Sequence, residues 1–210
     1  MAERERARKL NRVIDEALLD PASHGVMTLY GLAGSSEPVP LAERVRRRAA
    51  RLGARACNVA RHRDALMAAV YAAAAPRGWF NAWCDGSSSR VPPGRSGVGG
   101  LVMDCEGKIV ARVARFLPSP DPFAAEIAAA AAVLQAALDA GAKQLRVHTD
   151  CVALARLWNT RRGDTRLDTV RALARAFRAL AIRPIPRAHN EPAHQLARAG
   201  LAEAPRRSGR

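Results

Sequence analysis

Aromatic residues make up only 4% of this 210-residue sequence, and only three of its 34 basic residues are lysines: Lys9, Lys108 and Lys143. So few rings leave little for an aromatic core, whereas a 49% apolar share rich in alanine suits helices packed through small side chains beside a modest strand core. The four cysteines, Cys57, Cys84, Cys105 and Cys151, are widely spaced, contain no C-x-x-C pair and have no histidines at zinc-site spacing. Neither a disulfide framework nor a structural zinc is indicated. No stretch approaches the roughly 18 uninterrupted apolar residues of a membrane span, because Glu126, Gln135 and Asp139 break the longest alanine-rich run. The charged start, Met1 to Leu10, is followed by no apolar segment able to act as a signal core, so a cytoplasmic location without membrane contact is expected. What is abundant is positive charge: 34 Lys and Arg against 19 Asp and Glu give +15 and a pI near 11.3. A surplus of this size favours polyanions, since neutralising phosphates releases condensed counterions. Arginine numbers follow genomic base composition as readily as selection, so the positions of the arginines carry more weight than their count.

The chain reads as two parts joined near Ala75-Pro76-Arg77-Gly78, where a helical pattern stops at Pro and Gly. Residues 1–76 read as a small basic all-helical domain. Leu10, Val13, Ile14, Ala17 and Leu18 form the stripe of a first helix ended by Asp20-Pro21. A Gly/Ser/Pro-rich linker from Gly31 to Pro40 precedes helical stretches from about Leu41 to Leu52 and Arg55 to Ala75. Residues 79–202 alternate: strands Trp79–Cys84, Val98–Asp104 and Lys108–Phe116, then a helix capped by Asp121-Pro122 and stopped by Gly141. A strand Leu145–Thr149, helices Cys151–Trp158 and Leu167–Ala181, a strand Ile182–Pro186 and a helix Glu191–Ala202 complete it. Hairpin-linked strands followed by helix crossovers imply an α/β domain, a mixed sheet flanked by helices. A basic tail, 203–210, closes the chain.

Three carboxylates stand where an unpaired charge makes little structural sense. Asp85 closes the first strand, Glu126 lies in the first turns of an otherwise apolar helix, and Asp150 ends the later strand. Each has an ordinary reading: Asp85 as a turn residue before Gly, Glu126 as a complement to its helix dipole, Asp150 as an N-cap. Together these readings need three coincidences. If the elements are neighbours, the side chains converge at one edge of the sheet, and such a cluster repels itself unless hard divalent cations bind it.

The order strand–Asp85-Gly86-Ser87, then Ala125-Glu126 in a helix after a hairpin, then Thr149-Asp150-Cys151 after the next strand resembles the type 1 ribonuclease H pattern over about Trp79 to Ala202. The segment Arg187 to Ala197 resembles that family's closing motif, with His194 where the fourth carboxylate usually stands and Pro122 and Phe123 where polar residues are common. The resemblance implies a ribonuclease H-like five-stranded mixed sheet and metal-dependent hydrolysis of the RNA strand of RNA·DNA hybrids. It implies two Mg²⁺ or Mn²⁺ ions about 4 Å apart, with Asp85 bridging, Glu126 and Asp150 completing one ion's shell, and His194 on the other. Imidazole is a poorer ligand for Mg²⁺ than for Mn²⁺, so a preference for Mn²⁺ is expected, with activity falling in acid as His194 takes up a proton.

Beside the substrate the resemblance and the pattern place Gly86, Ser87, Ser88 and Asn190, and also Arg171, Arg175 and Arg178, which recur at i, i+4 and i+7 on the expected helix Leu167–Ala181. In the first part, Ala49, Gly53 and Val59 have helix-turn-helix spacing within about 45–64, with Arg55, Asn58, Arg61 and Arg63 able to face DNA or hybrid. A plain helical bundle is the alternative there. For the whole chain the rival readings are a non-catalytic nucleic-acid-binding protein that lost turnover through His194, and a nuclease of other duplexes such as double-stranded RNA.

Overall fold

The computed structural model describes residues 2–53, 58–89, 94–160 and 164–203, which fall into two compact units, 1–76 and 77–210. The first unit is built from α1 (Ala2–Leu19), α2 (Val26–Ala33), α3 (Pro38–Leu52) and α4 (Val59–Ala73). The apolar stripe of α1 lies in its core, where Leu10, Val13, Ile14, Ala17 and Leu18 are each at most 5% exposed. Arg48 of α3 pairs with both oxygens of Asp15 on α1, and the Tyr30 hydroxyl on α2 donates to the Val70 carbonyl on α4 at 2.6 Å.

The stretch Gly31–Pro40 is not one linker. Gly31 to Ala33 belong to α2, Gly34 caps that helix at φ 67°, and α3 begins at Pro38, whose fixed φ suits a first helical turn. Ala49 and Val59 are buried, as a helix-turn-helix requires, but 54–57, including Arg55, lie outside the described residues. Arg61 and Arg63 are engaged locally, with the Asn58 amide oxygen and the Asp64 carboxylate.

In the second unit a five-stranded sheet has the order β3-β2-β1-β4-β5, formed by β1 (Phe80–Ser89), β2 (Arg95–Met103), β3 (Ile109–Leu117), β4 (Gln144–Thr149) and β5 (Ala179–Pro184). The first three strands are antiparallel; β1/β4 and β4/β5 are parallel, as crossover connections demand. β1 runs five residues past the expected end at Cys84, because its ladder with β2 continues in register to Ser89↔Arg95 and satisfies the backbone of the Gly/Ser stretch. Asp85 is therefore inside the strand, opposite Gly99, rather than at its end.

Helix α5 (Pro122–Asp139) starts as expected, with the Asp121 carboxylate accepting from the Phe123 amide at 2.8 Å. It is long and apolar enough to cross a membrane by length and composition, but Ala125, Ile127, Ala129, Ala130, Val133, Leu134 and Ala137 are buried in the domain. Their partners include Ala82 and Cys84 of β1, Val98 and Val102 of β2, and Leu145 and Val147 of β4. Two short helices follow β4, α6 (Val152–Asn159) and α7 (Asp168–Ala174), and α8 (Glu191–Ala202) is the last.

The helix expected over Leu167–Ala181 is shorter than the pattern suggested. α7 stops at Ala174, the Arg178 amide donates to the Lys143 carbonyl at 2.8 Å, and Ala179–Pro184 pairs with the whole of β4. Helix propensity is worth at most a few tenths of a kcal/mol per residue, less than the backbone bonds gained by pairing along β4. Arg171, Arg175 and Arg178 consequently do not share one helical face. Arg171 lies in α7, bonded to the Asp164 carbonyl and paired with Asp168, Arg175 caps the helix, and Arg178 precedes β5.

Candidate active site

Gly86 lets α5 cross β1 at contact distance. A Cβ there would lie 2.6 Å from the Glu126 backbone nitrogen and 2.7 Å from the Ala125 carbonyl carbon, so only glycine admits the crossing without displacement. The crossing brings Glu126, in the second turn of α5, beside Asp85 of β1, and the Gly86 backbone hydrogen-bonds to the Glu126 carboxylate. Asp150 follows β4 directly, and β4 is the parallel neighbour of β1.

Asn190 ties the middle of β1 to the end of β4. Its Nδ2 donates to the Cys84 carbonyl at 2.9 Å and to Asp150 Oδ1 at 2.6 Å. The residue is fully buried and holds the Asp150 carboxylate through its amide. One turn along α8, His194 Nδ1 lies 2.8 Å from Asp85 Oδ2. The helix reaches that close because Gly97 and Gly99 of β2 leave room for the backbone of Ala193, Ala197 and Leu201. Arg187, on the short 3₁₀ turn Arg187–His189, sets a guanidinium nitrogen 3.6 Å from Asp150 Oδ2.

Burial and mutual repulsion dominate the electrostatics. Desolvation, reinforced by the charges of Asp85 and Asp150, pushes the Glu126 carboxyl up to about 8. Asp85, 2% exposed, is also raised by burial, an effect that its hydrogen bond to His194 opposes. Behind them burial holds the Cys84 thiol well above its ordinary value. Glu126 Oε2 is buried without a hydrogen-bond partner.

Among the described residues no set of three or more His, Cys, Asp and Glu side chains is arranged, as it stands, to hold a metal ion. The donor set nevertheless fits a hard divalent cation. It offers oxygen ligands, a surplus of negative charge and a buried carboxylate oxygen with no other partner. The remaining sequence candidates lie around this cluster. Ser87 and Ser88 continue β1, and the Ser88 hydroxyl bonds to that of Ser96 at 2.8 Å. Arg187 had no role assigned from sequence beyond its place in the closing motif, since its neighbour Asp150 is remote in the chain.

Fold and site together define a ribonuclease H-like protein. The family model described as reverse transcriptase-like matches residues 83–200, and the chain belongs to that ribonuclease H-like family. It is similar to ribonuclease H1 of the halophilic archaeon Halobacterium salinarum, at 30% identity and a TM-score of 0.55 over 60% of this chain and 100% of that one. Two further structures share the fold. One is the N-terminal ribonuclease H domain of a Mycobacterium tuberculosis protein, at 23% identity, a TM-score of 0.55, and 60% and 94% coverage. The other is a ribonuclease H1 designated LC11, in complex with an RNA/DNA hybrid, at 18% identity, a TM-score of 0.53, and 60% and 98% coverage. A search of curated protein sequences returned no match.

Proposed function

We propose that this protein is a divalent-cation-dependent endonuclease that hydrolyses the RNA strand of RNA·DNA hybrids. Family membership supports nuclease chemistry in general. The observation that carries the finer reading is the state of Glu126, a carboxylate raised to about 8 by burial and by the charges of Asp85 and Asp150, with one oxygen unpartnered. A structural role would be better filled by glutamine or alanine, whereas a ligand for a cation needs this charge density.

Asp85, Glu126 and Asp150 would hold Mg²⁺ or Mn²⁺, two ions per site, with His194 at the second. When bound, such ions supply Lewis acidity that activates water and offsets charge on the phosphate during in-line displacement. The protein's own part is positional. Asn190 fixes the Asp150 carboxylate so that one oxygen faces outward, and Gly86 fixes the approach of Glu126. His194 contributes an imidazole already oriented by Asp85, and its replacement of a carboxylate supports a preference for Mn²⁺. The basic composition supports a nucleic-acid partner.

The contact of His194 with Asp85 also favours a second reading, a nucleic-acid-binding protein without turnover, because that bond occupies an oxygen the cations would need. A labelled RNA·DNA hybrid incubated with Mg²⁺ or Mn²⁺ separates the two. Cutting by the wild type and not by Asp85→Asn supports the nuclease; binding without cutting in both supports the second reading. Parallel digests of double-stranded and single-stranded RNA fix the substrate.

A further inference from the structure

The seam between α1 and α3 in the first unit carries more positive charge than the carboxylates beside it neutralise. Leu10 of α1 shares a cleft with Leu41 and Arg44 of α3, and further along Asp15 binds Arg48, so the two helices run side by side in the same direction. That ion pair fixes which flanks face each other. Arg44, Arg48 and Arg51 recur at i, i+4 and i+7, on the flank of α3 that reaches Asp15. Arg8, about two turns before Asp15, lies on the matching flank of α1. Asp15 is taken by Arg48, and Glu43 is held by both Arg46 and Arg47. Glu37 lines the cleft beside Arg44 without pairing with it. Arg8 and Arg51 are exposed, Arg44 is half-buried, and among the described residues none of the three has an ion pair. Like charges at helical spacing repel, so a bundle built only for solubility would alternate signs here.

We propose that the α1–α3 seam is a nucleic-acid-binding surface on which Arg8, Arg44 and Arg51 contact the phosphates of a duplex. It shares its partner with the nuclease reading above, on which it rests for that partner and not for any chemistry. The flank suits phosphate better than a lipid surface: the apolar stripe of α1 is buried in the core of the unit, which leaves no side chain to insert into a bilayer. A guanidinium presents a planar fork that matches phosphate oxygens. Arg44 and Arg51 are about 10 Å apart along the helix, close to three base-pair steps of roughly 3.4 Å. Arg48, tethered to Asp15, holds the two helices in register between them. The surface is not the one that helix-turn-helix spacing suggested, because Arg61 and Arg63 of α4 are engaged by Asn58 and Asp64. Phosphate contacts position a protein without reading bases, so binding here is independent of sequence.

The full-length protein tests this in an Asp85→Asn background, with a labelled RNA·DNA hybrid bound across a salt series. Combining Arg8→Gln, Arg44→Gln and Arg51→Gln should flatten the slope of log K against log salt by about two to three and weaken binding about tenfold, equally for hybrids of different base composition. The melting temperature should not fall, since the change removes like charges. Arg51→Gln alone, at an exposed position, should flatten the slope by about one and keeps the test readable if the triple variant folds poorly. Lys9→Gln, Lys108→Gln and Lys143→Gln together remove the same net charge elsewhere and should leave the slope near that of the parent. With Asp85 restored, the triple arginine variant should raise KM for the hybrid about tenfold and leave kcat near wild type. Equal slopes in the arginine and lysine variants would reduce the effect to net charge and overturn the proposal. A loss seen only in Arg61→Gln with Arg63→Gln would also overturn it, by moving the contact to α4. A wild type that never cuts, with a slope that still falls in the arginine variant, would remove the nuclease reading and keep the surface; cutting with an unaltered slope would do the reverse.

Discussion

Asp85 and His194 stand 109 positions apart in the chain, yet the imidazole Nδ1 lies 2.8 Å from the carboxylate Oδ2. The bond joins the middle of β1 to the first turns of α8, so the acidic cluster depends on how the last helix is seated as well as on the sheet.

Replacing His194 with aspartate restores an all-oxygen donor set. His194→Asp is expected to shift the ratio of Mn²⁺- to Mg²⁺-supported cleavage towards Mg²⁺ by about tenfold. Initial rates with each ion over a concentration series measure that ratio, and an unchanged ratio would count against a role for this side chain at the cations.

The carboxylates should be indispensable to activity and costly to stability. Asp85→Asn, Glu126→Gln and Asp150→Asn are each expected to reduce hybrid cleavage by at least about a hundredfold. Glu126→Gln should at the same time raise cation-free stability at pH 8 on the order of 1–2 kcal/mol, since it removes a buried charge. Urea unfolding in EDTA reads that gain directly.

Stability should depend on pH in two opposite ways. Glu126 is raised from an ordinary value of 4.5 to about 8, so its favourable contribution is complete below 4.5 and disappears as pH climbs through 8. His148, buried against Trp83 and near the Asn81 amide, is lowered by burial from 6.5 to about 3. Its contribution is complete above 6.5 and is lost as pH falls towards 3. Melting temperatures from pH 3 to 9 in EDTA should fall on both sides. Glu126→Gln should flatten the alkaline limb and His148→Gln the acid one. Adding Mn²⁺ at pH 8 should recover the alkaline loss in the wild type and not in Glu126→Gln.

Asn190→Ala would leave the Cys84 carbonyl and Asp150 Oδ1 without their buried donor. A cost of about 2–4 kcal/mol is expected, together with lost cleavage because Asp150 is no longer held. Denaturant midpoints and rates on one preparation should move together. A variant stable but inactive would show that the brace matters for geometry alone.

Much of this was legible in the sequence where periodicity and local chemistry agree. The α1 stripe, the Asp121 cap and the order of strands and helices follow from spacing that each segment carries within itself. The three carboxylates stood out because each sits in apolar or strand surroundings without a cationic neighbour in sequence. The misreadings share a cause. Residues 179–181 look helical until β4 offers them a partner, and Ser87–Ser89 look like a loop until β2 does. Asn190 and Arg187 act on Asp150, about forty residues away in the chain, and no local pattern announces such a pairing.

Seating of α8 on glycine has a dynamic consequence. Gly97 and Gly99 of β2 face its backbone, and a Cβ on Gly200 would lie 2.5 Å from the backbone of Arg115, so this seam has no rotamers through which to yield gradually. The helix is either docked or released. Amide protons from about 193 to 201 should therefore exchange with deuterium as one cooperative block, and methyl groups added at 97 or 99 should speed that block while leaving protection within α5 intact.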